Sequence, residues 1–313
     1  MTYRGRFAPS PTGDLHLGSA AAALFCAAAA RRARGRLVLR MEDLDGPRVI
    51  PGKDAAILAD LRWLGVAWDE GPDVGGDAGP YVQSARHARY EAALAELAAR
   101  GLTYLCDCSR AEFARVASAP HAGEEGPRYP GTCRAHGMRA RAFKRPPAVR
   151  LAVPEDTVIE AHDAVLGTLR ERVAEVTGDF VLRRGDGVFA YQLAVVVDDV
   201  AMGVTEVVRG ADLASSAPRQ VLLARLLGGD PPSFAHVPLL LGADGARLAK
   251  RAPRMTLAEQ RAAGRTGPQV ARAIVRAYAH ELGEAVDPVA ALAGALDWSR
   301  LAGLTVRVPA ELG

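Results

Sequence analysis

Aromatic rings are scarce here: three Trp, seven Tyr and seven Phe make up 5% of 313 residues. That scarcity does not signal disorder, because apolar residues are 49% and charged residues 24% of the chain, the proportions of a soluble globular protein. Long apolar runs are absent too. Ala20–Ala30 is cut off by Arg31-Arg32 and is too short to span a bilayer, and the first residues, with Arg4 and Arg6, hold no long apolar run of the kind a secretory signal needs. A cytoplasmic protein with no membrane partner is therefore expected, and nothing demands more than a monomer. Cysteine is limited to four residues, which in such a compartment excludes a disulfide framework and points to metal binding or burial. A net charge of +3 is too small to demand a polyanionic partner, although 39 basic residues could cluster on one face. No repeat or long linker is present.

The most informative segment is Arg6-Phe7-Ala8-Pro9-Ser10-Pro11-Thr12-Gly13-Asp14-Leu15-His16-Leu17-Gly18. It reads as a strand, a Pro/Gly turn and a helix opening at His16. Such a helix end offers unpaired N–H groups and a positive dipole to phosphate. His16 adds a ring N–H, and Gly18, lacking Cβ, leaves room for a ring or ribose against the backbone.

The chain continues as an Ala-rich helix over Ser19–Arg34, a strand at Arg36–Met41, a helix at Pro51–Leu64 and another from Ser84 to Gly101. This alternation predicts an α/β doubly wound parallel sheet. It breaks at Thr103; from Cys106 to about Lys144 the chain is rich in Gly, Pro, Arg and Cys, with a mobile tip expected at Ala117–Arg128 and short strands over 148–183. Alternation resumes at Val188–Val197, a β-branched run read as a strand ending at Asp198-Asp199, then Val204–Val208 and a helix at Ala217–Leu227. The expected layout is a first catalytic half over 1–102, an insertion over 103–185, a second half over 186–255 and a short helical tail over 256–313.

A second basic segment, Asp244-Gly245-Ala246-Arg247-Leu248-Ala249-Lys250-Arg251, follows an apolar strand. Alone it reads as a solvated turn; beside a phosphate site it becomes a loop able to close over a triphosphate, with Lys250 stabilising charge at phosphorus. Cys106-Asp107-Cys108 and Cys133 read as a structural zinc site whose fourth ligand, on sequence chemistry, is His136 or His121. Cys26, among alanines, reads as core. The Arg134–Arg150 segment could contact phosphates or form a solvated face.

Residues 11–18 resemble the HIGH motif of class I aminoacyl-tRNA synthetases in its glutamyl/glutaminyl form, and 247–251 the KMSKS loop of that class. Leu39–Asp45 and Val207–Leu213 resemble the glutamate subgroup, so four motifs over residues 3–255 stand in the family's order. The short chain and its Cys-x-Cys element are similar to the glutamyl-Q tRNA(Asp) synthetase family, which lacks the anticodon-binding domain. That resemblance implies a Rossmann-like catalytic fold with a zinc-bearing insertion. It also implies activation of L-glutamate with ATP and Mg²⁺, without tRNA, and transfer to queuosine in the anticodon loop of tRNA(Asp). It assigns glutamate to Arg6, Phe7, Ala8, Pro9, Ser10, Glu42, Tyr191 and Arg209. ATP goes to Thr12, His16, Gly18, Arg247 and Lys250, with His16 and Lys250 catalytic. Zinc goes to Cys106, Cys108, Tyr129 and Cys133. Arg6 and Arg209 are forks able to clamp a carboxylate by two hydrogen bonds each. The loop departs from the family's Lys-Leu-Ser-Lys at Arg247 and Ala249. Two rival readings remain: a truncated glutamyl-tRNA synthetase charging the 3′ end of tRNA(Glu), and a non-catalytic amino-acid- or RNA-binding paralogue.

Overall fold

The computed structural model describes residues 2–109, 112, 128–242, 244–246 and 255–313. The expected loop residues Arg247, Ala249 and Lys250, the alternative ligand His121 and all of the tip before Arg128 lie outside the described residues.

The opening segment folds as the sequence predicts: β1 (Arg4–Phe7), then α1 (Leu17–Arg32), then β2 (Arg36–Leu39). Helices α2 (Lys53–Leu64) and α3 (His87–Ala99) follow, then β3 (Thr103–Cys106), β4 (Ala148–Leu151), β5 (Val158–Asp163) and β6 (Gly167–Arg172). After the short α4 (Val173–Val176) come β7 (Val181–Arg183), α5 (Tyr191–Ala201), β8 (Glu206–Gly210), α6 (Ala217–Leu226), β9 (Ser233–Val237) and β10 (Leu240–Leu241). The C-terminal elements are α7 (Leu257–Ala262), α8 (Gly267–Ala277), α9 (Pro288–Ala295) and β11 (Val306–Arg307).

The central sheet has the order β2-β1-β8-β9-β5-β6; every neighbouring pair is parallel except the β5–β6 hairpin. Successive strand residues face opposite cores. Leu37 and Leu39 pack with α1 and the tail helices, whereas Val38 packs with α3, α5 and α6. From β1 the chain crosses through α1 to β2, and from β8 through α6 to β9 on the other side. The order reverses between β1 and β8, where ligands bind outside the carboxyl ends of the strands.

Two expectations change. Val188–Val197 is not a strand: Val195, Val196 and Val197 belong to α5, a helix whose Leu193–Asp199 stretch is wholly buried. A short apolar run has the same pattern in a buried helix as in a buried strand, and here packing between the α3 and α6 helices decides. The 103–185 segment also does not stand wholly apart. β3, β4 and β7 form their own antiparallel sheet, but β5 and β6 extend the central one.

The tail is not an appendage either. α1 is apolar all round and therefore needs cover on every side; α8 and α9 supply it, and β11 pairs with β10. Gly267 sits where a Cβ would lie 1.6 Å from the Trp63 carbonyl oxygen, so α8 touches α2 backbone to backbone. Gly267→Ala is expected to cost about 3 kcal/mol or more, since the helices must separate; a urea-unfolding loss below about 1 kcal/mol would refute this docking. Among the described residues no helix is long and apolar enough to cross a membrane.

Candidate active site

Arg6 and Arg209 stand at the carboxyl ends of β1 and β8, at the switch point itself. Both are almost fully buried. Arg6 Nη1 donates to the Val208 carbonyl at 3.3 Å, next to Arg209, and its Nε lies 3.6 Å from Asp199 Oδ1. Arg209 donates from Nε to His236 Nε2 at 3.0 Å, from Nη1 to Tyr191 Oη and Gln220 Oε1 at 3.3 and 2.8 Å, and from Nη2 to the Leu213 carbonyl at 3.1 Å. The structure therefore corrects the picture of a free two-pronged clamp. Four of the five guanidinium N–H groups already have protein partners, leaving one Nη2 N–H. Tyr191, 37% exposed at the start of α5, presents the hydroxyl beside it.

Glu42 joins the same group from the loop after β2. Its backbone N–H donates to the Pro9 carbonyl at 2.9 Å, and Oε1 accepts from Arg40 Nη2 at 3.0 Å. Burial pushes its carboxyl up despite the Arg40 and Arg6 charges. Within Arg6–Ser10, Phe7 packs into the core and its carbonyl accepts from Arg40 N–H, while Ser10 is exposed and Ala8 half-buried.

Beneath these residues lies a buried ionic network that sequence reasoning treated as a strand end. Arg40 Nη1 donates to Asp199 at 2.7 Å and its Nε lies 3.6 Å from Asp198. Asp198 also accepts from Arg86 Nε at 2.5 Å, Gln83 Nε2 at 2.8 Å and Tyr90 Oη at 2.9 Å. Asp199 thus links Arg6 to Arg40, and Arg40 to Glu42. The available signal was a pair of acids closing an otherwise apolar run, which a helical period places inside.

At the opposite edge, His16 caps α1: its Nδ1 accepts from Ser19 N–H at 3.2 Å. With Nδ1 accepting, the neutral ring carries its proton on Nε2, which lies 3.2 Å from Ser19 Oγ. Gly18 has a local reason beyond ligand clearance. A Cβ there would lie 3.1 Å from His16 Nδ1, so glycine lets the ring fold back over the first turn. Thr12, half-buried, turns the chain by donating to the Ser10 carbonyl at 2.8 Å.

Tertiary structure also ties this turn to the far end of the sequence. Leu17 N–H donates to the Met255 carbonyl and Leu257 N–H to the Leu15 carbonyl, both at 2.8 Å, with His16 paired to Thr256. Met255–Leu257 are thus fastened to the His16 helix start, downstream of residues 247–254. On their upstream side the Asp-Gly turn is present, with Gly245 at φ +78° and Gly242 N–H donating to the Ala246 carbonyl at 2.8 Å.

The Cys106, Cys108 and Cys133 sulfurs lie within 4.8 Å of one another. Tyr129 Oη sits among them, 3.3 Å from Cys106 Sγ and 3.5 Å from Cys108 Sγ, and Cys108 Sγ lies 3.6 Å from Cys133 Sγ. Tetrahedral zinc with bonds of about 2.3 Å sets sulfurs about 3.8 Å apart, so the donor set fits. His136 is exposed and outside the cluster. Burial presses the Cys106 thiol upward, yet Tyr129 and Arg150 outweigh it and hold the thiol below its ordinary value; burial pushes Cys108 up to about 11. Cys26 is buried core, its Sγ 3.3 Å from the Val208 carbonyl.

Residues 2–281 match the family described as tRNA synthetases class I (E and Q), catalytic domain. The chain is 51% identical to a Glutamyl-Q tRNA(Asp) synthetase of Symbiobacterium thermophilum, over 98% of this chain and 96% of that protein. It is 53% identical to the protein of that name from Nitratidesulfovibrio vulgaris, over 83% and 82%. A glutamate tRNA ligase of Elizabethkingia meningosepticum, solved in complex with its amino acid, superposes with a TM-score of 0.76 at 27% identity, covering 99% of this chain and 68% of that one.

Proposed function

Since the chain belongs to the class I tRNA synthetases for glutamate and glutamine and is a ligase of that family, we propose that it activates L-glutamate with ATP in the absence of tRNA and transfers it to queuosine of tRNA(Asp). The observation that carries this reading is the convergence of Arg6, Arg209, Tyr191 and Glu42 at the β1/β8 switch point. The arginines suit the side-chain carboxylate, Glu42 the ammonium group and Tyr191 the polar lining.

Chemistry then needs positioning more than a base. The ionised α-carboxylate of glutamate attacks the α-phosphorus of ATP, forming glutamyl-adenylate and expelling pyrophosphate. In this reading the phosphates are assigned to the α1 N-terminus, His16 and the basic residues Arg247 and Lys250, with Mg²⁺ sharing their charge. A queuosine hydroxyl next attacks the adenylate carbonyl and AMP leaves. Identity near 50% to relatives named for this transfer favours it over charging of tRNA(Glu). The test is glutamate-dependent ATP–pyrophosphate exchange without tRNA, with glutamine and aspartate as controls, then glutamylation of tRNA(Asp) with and without queuosine. Exchange requiring tRNA, or equal charging of unmodified tRNA, overturns the reading.

The cysteine cluster is assigned a structural zinc held by Cys106, Cys108, Cys133 and Tyr129, bracing the β3–β4–β7 sheet. Chelation is expected to lower the melting temperature while leaving exchange by the folded protein within about threefold, because the metal joins elements outside the switch point. Loss of exchange at a temperature where the chelated protein stays folded would show that the metal serves the reaction.

A further inference from the structure

We propose that Asp163 and His236 are positioning residues for Arg209: the acid sets the imidazole tautomer, and the imidazole holds the guanidinium where it meets the side-chain carboxylate of glutamate. The substrate part of this inference rests on the glutamate reading above. His236 on β9 is fully buried between Asp163 from β5 and Arg209 from β8, the two flanking strands of the sheet.

Asp163 Oδ2 is hydrogen-bonded to His236 Nδ1 and accepts the His236 backbone N–H at 3.2 Å. Its Oδ1 accepts the Val165 and Leu166 backbone N–H groups at 2.8 and 2.7 Å. Burial alone would raise this carboxyl, but the bonds from His236, Leu166 and Val165 outweigh it and hold it below its ordinary value. An ionised acid only accepts, so the shared hydrogen belongs to Nδ1. Burial pushes the imidazole down, against the pull of Asp163, and the Arg209 charge pushes the same way. The ring is therefore neutral and Nε2 is a lone pair, which the Arg209 Nε–H meets at 3.0 Å. The other tautomer would set two N–H groups against each other, and a protonated ring would set two cations together.

With Nε held from behind and Nη1 on Tyr191 and Gln220, rotation of the fork is fixed and its remaining Nη2 N–H has one direction. The same chain of contacts couples the amino-acid pocket to the β5–β6 hairpin, which lies outside both catalytic halves in sequence.

Kinetics and spectroscopy test the relay independently. His236→Gln retains an acceptor near the Nε2 position, whereas His236→Asn retains only the group facing Asp163. The glutamate KM in pyrophosphate exchange is expected to rise about 10- to 100-fold in His236→Asn and to stay within about threefold in His236→Gln, with the ATP KM unchanged in both. Asp163→Asn, which can donate to Nδ1 and favour the wrong tautomer, is expected to behave like His236→Asn and replaces it if that variant fails to fold. Equal glutamate KM values in the Gln and Asn variants, or glutamate and ATP KM values rising together, overturn the proposal. Long-range ¹H–¹⁵N NMR of the wild-type imidazole is expected to show hydrogen on Nδ1; a charged ring or hydrogen on Nε2 overturns the relay even if the wild type ignores glutamate, a result that would itself overturn only the functional reading.

Discussion

Lys250→Ala is expected to slow glutamate activation by about 10²- to 10³-fold, the typical loss when one group that stabilises transition-state charge is removed. Glutamate binding is expected to stay within a few-fold, because the charge Lys250 meets develops only as pyrophosphate leaves. The structural ground is the chain's return to its own beginning: Met255 and Leu257 are hydrogen-bonded to Leu17 and Leu15 at the His16 helix end. The loop lacks the family's serine at Ala249 and has Arg247 in place of lysine, which leaves Lys250 as its matching lysine. Exchange rates compared with calorimetric glutamate binding check this. Parallel loss of both would mean that Lys250 holds the pocket together rather than serving the reacting phosphorus.

Asp198→Ala is expected to destabilise the protein by about 3–5 kcal/mol, since it removes the partner of two buried cations. Arg40 and Arg86 are essentially inaccessible, and Asp198 accepts from Arg86, Gln83 and Tyr90 while facing Arg40. Water cannot replace the lost carboxylate without opening the packing of α5 against α3. The corresponding drop in melting temperature is on the order of 10 °C. Scanning calorimetry and urea unfolding measure it directly; a loss below about 1 kcal/mol would show that the arginines find other acceptors. Through Asp199 the same helix supports Arg6 and, by way of Arg40, Glu42. A stability defect here should therefore carry a glutamate-binding defect in the surviving folded protein.

Legibility in the sequence followed the range of the interactions. The strand, Pro/Gly turn and His16-capped helix are local events, set by residues within a few positions of one another, and they are found where the spacing places them. The cysteine cluster was nearly as legible, because the chemistry of sulfur narrows what three close thiols can do. The valine run before Asp198 was not, since burial on all sides erases the periodicity that separates helix from strand.

By itself, the sequence determined the alternating α/β framework, the helix start at His16, the thiol cluster and the charged residue types of the candidate pocket. Tertiary structure alone decided that the tail covers α1, that the β5–β6 hairpin joins the central sheet, and that Arg209 is held by His236 and Asp163. The physical reason is sequence separation. Asp163, Arg209 and His236 lie on three strands far apart in the chain, and no local propensity encodes their meeting. Sheet register sets Arg209 opposite His236 and brings Asp163 beside β9 at Phe234, and burial then requires each polar atom to find a partner.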